Sequence, residues 1–271
     1  MNLIAALIFL LNSINDSPKT EKISLKDADN RILAENLKSS RDIPPFNNSQ
    51  VDGYAVNSSF LPTDSLVSVS QRIPAGSNPG SLEKNTTARI FTGAVIPKNC
   101  DAVVMQEQVE VNNEKISFKN KITPGQNIRK QGCDLRENQI FFEKGKIISA
   151  ADIGMCASVG LKNLEVYKRL KIGVFSSGDE LKQPGEKLLS GQIYDSNRPM
   201  ILSLVKKLGF ETLDMGRLPD NYSQTVNLLS KASTEVNVIL TCGGVSVGEE
   251  DHIKAAVEHL GSVMMWKINI K

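Results

Sequence analysis

Two acidic segments of the chain have the composition of ligand loops. Residues 241–251 read Thr-Cys-Gly-Gly-Val-Ser-Val-Gly-Glu-Glu-Asp and follow the apolar run Val236–Leu240. Glycines there permit positive φ and let backbone amides approach an anion closely. A helix starting near Asp251 would add its positive N-terminal end, so a phosphate could lie against the loop. The competing reading is a tight strand–helix turn in which Glu249, Glu250 and Asp251 cap the helix. The second segment, residues 176–186, reads Ser-Ser-Gly-Asp-Glu-Leu-Lys-Gln-Pro-Gly-Glu. Asp179 and Glu180 again follow a strand-like run and a glycine. Two carboxylate loops meeting at one crevice suggest Mg²⁺, which takes a few carboxylates together with ligand phosphate and water. The chain has neither a GxxxxGK[ST] phosphate loop nor a GxGxxG dinucleotide turn after its first such strand.

Other candidates are individually ambiguous. In "PPFNNSQVDGYAV" the Asp52-Gly53 pair suits a plain tight turn, or a site loop carrying an acid. "FTGAVIP" is a glycine turn, or a Thr92 hydroxyl offered to an oxyanion. "NIRKQGCD" places Arg129 near Asp134, most simply as solvated charges. "WKINIK" spaces Lys267 and Lys271 so that both face one side of a strand. Cys100, Cys133, Cys156 and Cys242 form no CxxC, and the two histidines are His252 and His259, so a zinc site of the usual ligands is not expected. Free thiols in a reducing compartment are the simple reading.

The elements that must carry these loops fall into three textures. After about residue 169, strand-like and helix-like runs alternate: KIGVFS, NRPMILSLVKKLG, FETLDMG, NYSQTVNLLSKAS, NVILTC, DHIKAAVEHLG and VMMWKINI. That pattern predicts a mostly parallel sheet with right-handed crossovers, and ligands beyond the carboxyl ends of its strands. Residues 44–145 are rich in glycine, proline and short β-prone runs, with a hairpin predicted around Asn112-Asn113. Helices are predicted on either side of this module. One runs through "ADNRILAEN" after Ser24-Leu25-Lys26-Asp27. The other is "SAADIGMCASVG", with Ser149 and Asp152 as a capping box and Gly160 as the stop.

The fold expected is therefore α/β and multidomain. Residues 1–43 and 146–168 form a helical linker and dimerisation domain, 44–145 an inserted β-rich module, and 169–271 a parallel-sheet α/β domain. The chain's 271 residues suffice for that. With Lys+Arg at 32 and Asp+Glu at 30, a net charge of +2 gives no reason to expect a nucleic-acid partner. The apolar run Leu3–Leu11 is too short to span a bilayer and lacks the flanks of a signal peptide. It is expected to be a helix packed on the body or on a second subunit of a cytoplasmic protein.

In order along the chain, "RILAENLKSSRDIPPFNNSQVDGYAV", "FTGAVIPKNCDAVVMQEQVE", "NIRKQGCD", "VFSSGDEL", "YDSNRPMI", "GGVSVGEEDH" and "WKINIK" resemble the MoeA family. These are the molybdopterin molybdenumtransferases of molybdenum-cofactor biosynthesis, related to the gephyrin E domain. The resemblance implies an α/β domain of MoCF type. It also implies insertion of molybdenum from molybdate into adenylylated molybdopterin, with Mg²⁺ assistance and release of AMP. Matching motif by motif, Asp52, Thr92 and Asp134 are implied as site residues of the inserted module. Glu180, Asp220 and Asp251 are implied as acids of the α/β domain, Glu180 and Asp251 holding the metal. Lys267 and Lys271 would bind an oxyanion, and Ser177, Gly178, Gly243, Gly244, Ser246 and Gly248 the pterin or its phosphate. An elongated homodimer is implied, the inserted module of one subunit facing the α/β domain of the other. Asn47 stands where the family has Asp, Cys133 where it has Glu, and His252 where it has Tyr. The family continues past the position of Lys271 with more of the α/β domain and a small β domain. The chain is thus expected to be C-terminally truncated, and a non-catalytic molybdopterin-binding or scaffold fragment is the alternative reading.

Overall fold

The computed structural model describes residues 2–14, 17–60, 66–113, 115–243, 252–265 and 268. The first part of the chain holds α1 (Leu3–Ser13), β1 (Thr20–Ser24), β2 (Leu37–Lys38), β3 (Asn48–Ser49), β4 (Gly53–Val56), β5 (Val67–Ile73), β6 (Thr86–Ile90), β7 (Ala102–Met105), β8 (Val109–Asn112), β9 (Lys115–Phe118), β10 (Ile128–Arg129), β11 (Ile140–Phe142) and α2 (Ala150–Ser158). There follow β12 (Asn163–Tyr167), β13 (Lys171–Ser177), β14 (Leu181–Lys182), β15 (Ile193–Tyr194), α3 (Asn197–Lys207), β16 (Glu211–Leu218), α4 (Tyr222–Glu235), β17 (Val238–Cys242) and α5 (His252–Leu260). They make two compact units. One comprises residues 24–27 and 35–164, the other residues 1–23, 28–34 and 165–271.

The first unit is built on a six-stranded mixed sheet in the order β7-β4-β6-β5-β9-β8. Its core follows from the two-residue period of strands. Ala55 and Val103 join Ile73, Ala88 and Ile90 in one apolar cluster, while their neighbours Val56, Ala102 and Val104 join Val67, Val109 and Ile116 in another. Both faces of the sheet are thus covered. The hairpin β8–β9 turns at Asn113, which takes the left-handed conformation (φ 55°). Helix α2 begins with the reciprocal Ser149–Asp152 capping box, and Gly160 (φ 83°) follows its end.

The second unit has a parallel sheet in the order β16-β13-β17. Strand β13 lies between two neighbours, and its residues from Ile172 to Ser176 are all buried, as a central parallel strand covered on both faces requires. Helices α4 and α5 cover part of the sheet: Leu229, Ala232, Ile253 and Ala256 pack with Phe175 and Leu218. The chain passes from β13 to β16 on one side and later to β17 on the other. The winding therefore reverses at β13, and a crevice opens beyond its carboxyl end.

Two expectations are corrected. The segment after Ser24 is not a helix beyond the single 3-10 turn Leu25–Asp27. Asn30 adopts positive φ (55°), which ends helical propagation, and Leu33 is drawn into an antiparallel bridge with Val166. Burial of Leu33 at 0% exposure outweighs the local helical pattern. The strand expected over VMMWKINI is also absent among its described residues, Val263, Met264, Met265 and Ile268. Among the described residues, no helix is long and apolar enough to cross a membrane.

Phe175 is 1% exposed and the largest fully buried side chain described. Phe175→Ala should lower unfolding stability by about 3–5 kcal/mol. Urea denaturation of parent and variant checks this, with little change expected in transitions that report the first unit.

Candidate functional site

In the second unit the candidate residues gather where β13 ends. Ser176 pairs with Cys242 across the β13–β17 ladder, so Ser177 and Gly243 leave the sheet side by side. Gly243 (φ +100°) lies so close to Ser177 that an added Cβ would stand 3.0 Å from the Ser177 carbonyl oxygen. Gly178 takes a positive φ (+129°) that favours glycine, and the Glu180 carboxylate folds back over it, its oxygens where a Cβ would stand. The Asp179 N–H donates to Asp220 Oδ2 at 3.1 Å. Arg217 donates to the Gly178 carbonyl at 3.1 Å and pairs with Asp179 at 3.2 Å. Ser177, Gly178, Glu180, Asp220 and Gly243 are therefore brought together.

Beside them lies a polar cleft of about 180 Å³, lined by Ser176, Lys182, Glu186, Asp195, Arg198 and Arg217 among others. Asp195 and Arg198 are 3% and 5% exposed. Arg198 Nε lies 3.1 Å from Asp195 Oδ2, and Nη1 lies 3.1 Å from Asp214 Oδ1, but neither contact has hydrogen-bond alignment. The Ser176 hydroxyl is buried and has no hydrogen-bond partner. Buried hydroxyls without partners are uncommon, and a ligand is one way to satisfy them. Sequence reasoning missed Ser176, Asp195, Arg198 and Arg217. The one local signal was the Asp195–Arg198 spacing at a helix start, which by itself looks like an ordinary i,i+3 ion pair.

In the first unit Asp52 and Thr92 form a second cluster. Asp52 Oδ1 accepts from both the Thr92 amide and the Thr92 hydroxyl, each at 2.8 Å. These two donors, and less so the charge of Arg89, hold the Asp52 carboxyl below its ordinary range. The Asp52 backbone is fixed as well, because its carbonyl accepts from Gln106 and the next residue, Gly53, crosses the Val104 carbonyl where no Cβ fits. Arg89 donates to the Gly53 carbonyl at 3.1 Å and stacks on Tyr54 and Phe91.

Asp134 sits on a neighbouring loop of the same unit, after β10, which pairs with β3. It binds the Arg129 guanidinium and accepts from the Cys133 thiol at 3.3 Å. The Cys133 sulfur first, and then the Asp134 charge, hold Arg129 firmly protonated. The loop is anchored by Asp42, which accepts from the Glu137 amide (2.9 Å) and the Gln131 side chain (2.8 Å), and by Asn47, which accepts from the Gln131 amide (2.8 Å).

Gly244, Ser246, Gly248, Asp251, Lys267 and Lys271 lie outside the described residues. Among those described, no three His, Cys, Asp or Glu side chains converge as a metal site. What Glu180 and Asp220 offer is oxygen only, which suits a hard cation completed by water and phosphate rather than zinc.

The Asp52 interaction has a definite pH sign. A carboxyl whose folded pKa is depressed adds stability above its unfolded value, about 3.9, and loses it as pH falls through the folded value. The NMR shift of the Thr92 amide should titrate with a midpoint below about 3.9. Thr92→Val, which removes one donor, should move that midpoint upward.

Comparison with known proteins agrees with this architecture. Residues 1–160 match the family described as the MoeA N-terminal region (domain I and II), and residues 173–271 match a probable molybdopterin binding domain. The molybdopterin molybdenumtransferase of Haemophilus influenzae is 41% identical over 265 residues, covering 97% of this chain and 65% of that protein. That of a Nostoc species is 35% identical over 277 residues, covering 100% of this chain and 62% of that protein. This chain thus spans just under two thirds of the length of these relatives. A crystal structure of the molybdopterin biosynthesis MoeA protein from Pyrococcus horikosii superimposes with a TM-score of 0.83 at 31% identity, covering 96% of this chain and 67% of that one. With matches to both regions and a shared fold, the chain belongs to the MoeA family.

Proposed function

We propose that this chain takes part in molybdenum-cofactor biosynthesis, inserting molybdenum from molybdate into adenylylated molybdopterin and releasing AMP. The observation that carries the reading is the polar cleft beyond β13, with its buried, unpartnered Ser176 hydroxyl, opening beside the Glu180 turn. A pterin linked to a nucleotide through phosphates presents the acceptors and donors such a cleft lacks. Ser177, Gly178 and Gly243, with Gly244, Ser246 and Gly248, contact the pterin or its phosphate through backbone that glycine allows to come close. Glu180, Asp220 and Asp251 are the acids of this rim.

Bound Mg²⁺ supplies neutralisation of phosphate charge, with Glu180 and Asp251 as its protein oxygens. Asp52 holds the Thr92 hydroxyl oriented by accepting its hydrogen bond, leaving the oxygen lone pairs of Thr92 directed elsewhere. Asp134 keeps Arg129 in place, and Lys267 and Lys271 attract molybdate as point charges. The three-part organisation is part of the proposal: residues 1–43 and 146–168 serve dimerisation, and residues 44–145 of one subunit meet residues 169–271 of its partner, in the cytoplasm. A non-catalytic molybdopterin-binding or scaffold protein is the second reading.

AMP release from adenylylated molybdopterin, followed by chromatography with and without molybdate and Mg²⁺, tests the assignment. Molybdate-dependent release is expected, and Asp52→Ala should slow it about a hundredfold, the scale of losing one preorganised polar group. Binding without release would favour the second reading. Neither binding nor release would overturn both.

A further inference from the structure

Strand β16 carries one residue more than its partner. Its register with β13 skips from Val174↔Asp214 to Phe175↔Gly216, leaving Met215 as the extra residue of a bulge. Gly216 (φ +81°) and the Asp214 carboxylate, which accepts from the Gly216 amide at 2.9 Å, shape that bulge. Buried Arg198 pairs with the same Asp214 oxygen. An extra residue in a strand moves every following side chain to the other face. Without it Arg217 would stand opposite Ser177; with it, Arg217 stands opposite Ser176.

From there Arg217 reaches the turn that carries Glu180. The Gly178 carbonyl and the Asp179 amide belong to one peptide group. Arg217 donates to its oxygen, and Asp220 accepts from its N–H, both at 3.1 Å. The peptide is gripped at both poles, so it cannot rotate without breaking two charge-assisted hydrogen bonds. Its orientation decides how the chain leaves Gly178, and hence whether the Glu180 carboxylate lies back over that glycine. We infer that Arg217 is a positioning residue of the site: it locks the Gly178–Asp179 peptide and so fixes the Glu180 carboxylate against the bound pterin nucleotide. The inference rests on the reading of Glu180 as a ligand-facing acid. It assigns Arg217 no contact with the reacting atoms.

Affinity for adenylylated molybdopterin in the presence of Mg²⁺, measured by calorimetry, tests it in four proteins: the parent, Arg217→Gln, Glu180→Gln and the double variant. Arg217→Gln should weaken binding about tenfold in the parent, within the coupling range of residues in contact, and have almost no effect once Glu180 is already Gln. A purely structural role would give the same factor in both backgrounds, and that additivity would overturn the inference. Arg217→Lys should restore part of the loss, because a single ammonium can still reach the Gly178 carbonyl. Amide exchange at Asp179 supplies a readout independent of ligand: it should quicken in Arg217→Gln. If the parent binds no pterin nucleotide, the proposed function fails, and the exchange rate alone decides the clamp. Unchanged protection at Asp179 sinks it, and faster exchange upholds it.

Discussion

In each unit an acid of a candidate cluster follows or precedes a glycine whose backbone no other residue suits, Gly53 through a close backbone approach and Gly178 through its positive φ of 129°. Gly53 crosses the Val104 carbonyl, and Gly178 lies beneath the Glu180 carboxylate. The constraint is steric at Gly53 and conformational at Gly178, and it explains why Asp-Gly and Gly-Asp-Glu occur where a plain turn would accept many sequences. At Gly53 the close approach locks β4 between β6 and β7, and the preceding Asp52 is then held at the strand's edge against Thr92. At Gly178 the space left by the missing Cβ is where the Glu180 carboxylate lies. The conformational freedom glycine loses on folding costs of the order of 0.5–1 kcal/mol against alanine, and is tolerated here because Gly53 meets backbone and Gly178 holds positive φ.

Much of the architecture was legible in the sequence because it rests on local periodicity. Helices α3, α4 and α5 and strands β13, β16 and β17 arise where strand-like and helix-like runs alternate. The capping box at Ser149 and the hairpin at Asn113 are local chemistry as well. Local pattern failed at residues 28–36, where a long-range bridge from Leu33 to Val166 overrode it. The cleft failed to show for a different reason. Ser176 reads as part of a strand, Asp195 and Arg198 as a helix-start pair, and Arg217 as a strand residue of either face. Only the bulge at Met215, a property of two strands in register, decides which way Arg217 points. The Asp52–Thr92 bond joins residues 40 positions apart, and each was ambiguous until the sheet brought them together.

Asn47 and Cys133, which the resemblance implies are departures, fit the local geometry of the first unit. The resemblance implies Asp at the position of Asn47; here the side chain accepts from the Gln131 amide, which an amide oxygen does as well as a carboxylate. The exchange removes a negative charge from a loop region that already holds Asp42 and Asp134. The resemblance implies Glu at the position of Cys133, beside Arg129. A glutamate there would compete with Asp134 for the guanidinium. The cysteine thiol instead donates to Asp134 at 3.3 Å and leaves the charge pairing to one acid. The two changes act in the same direction. Each lowers the negative charge around Asp134 while keeping the hydrogen bonds that hold its loop, so the Arg129–Asp134 pair becomes a nearly neutral unit. Paired with Arg129, Asp134 has its carboxylate charge balanced and holds the guanidinium in place.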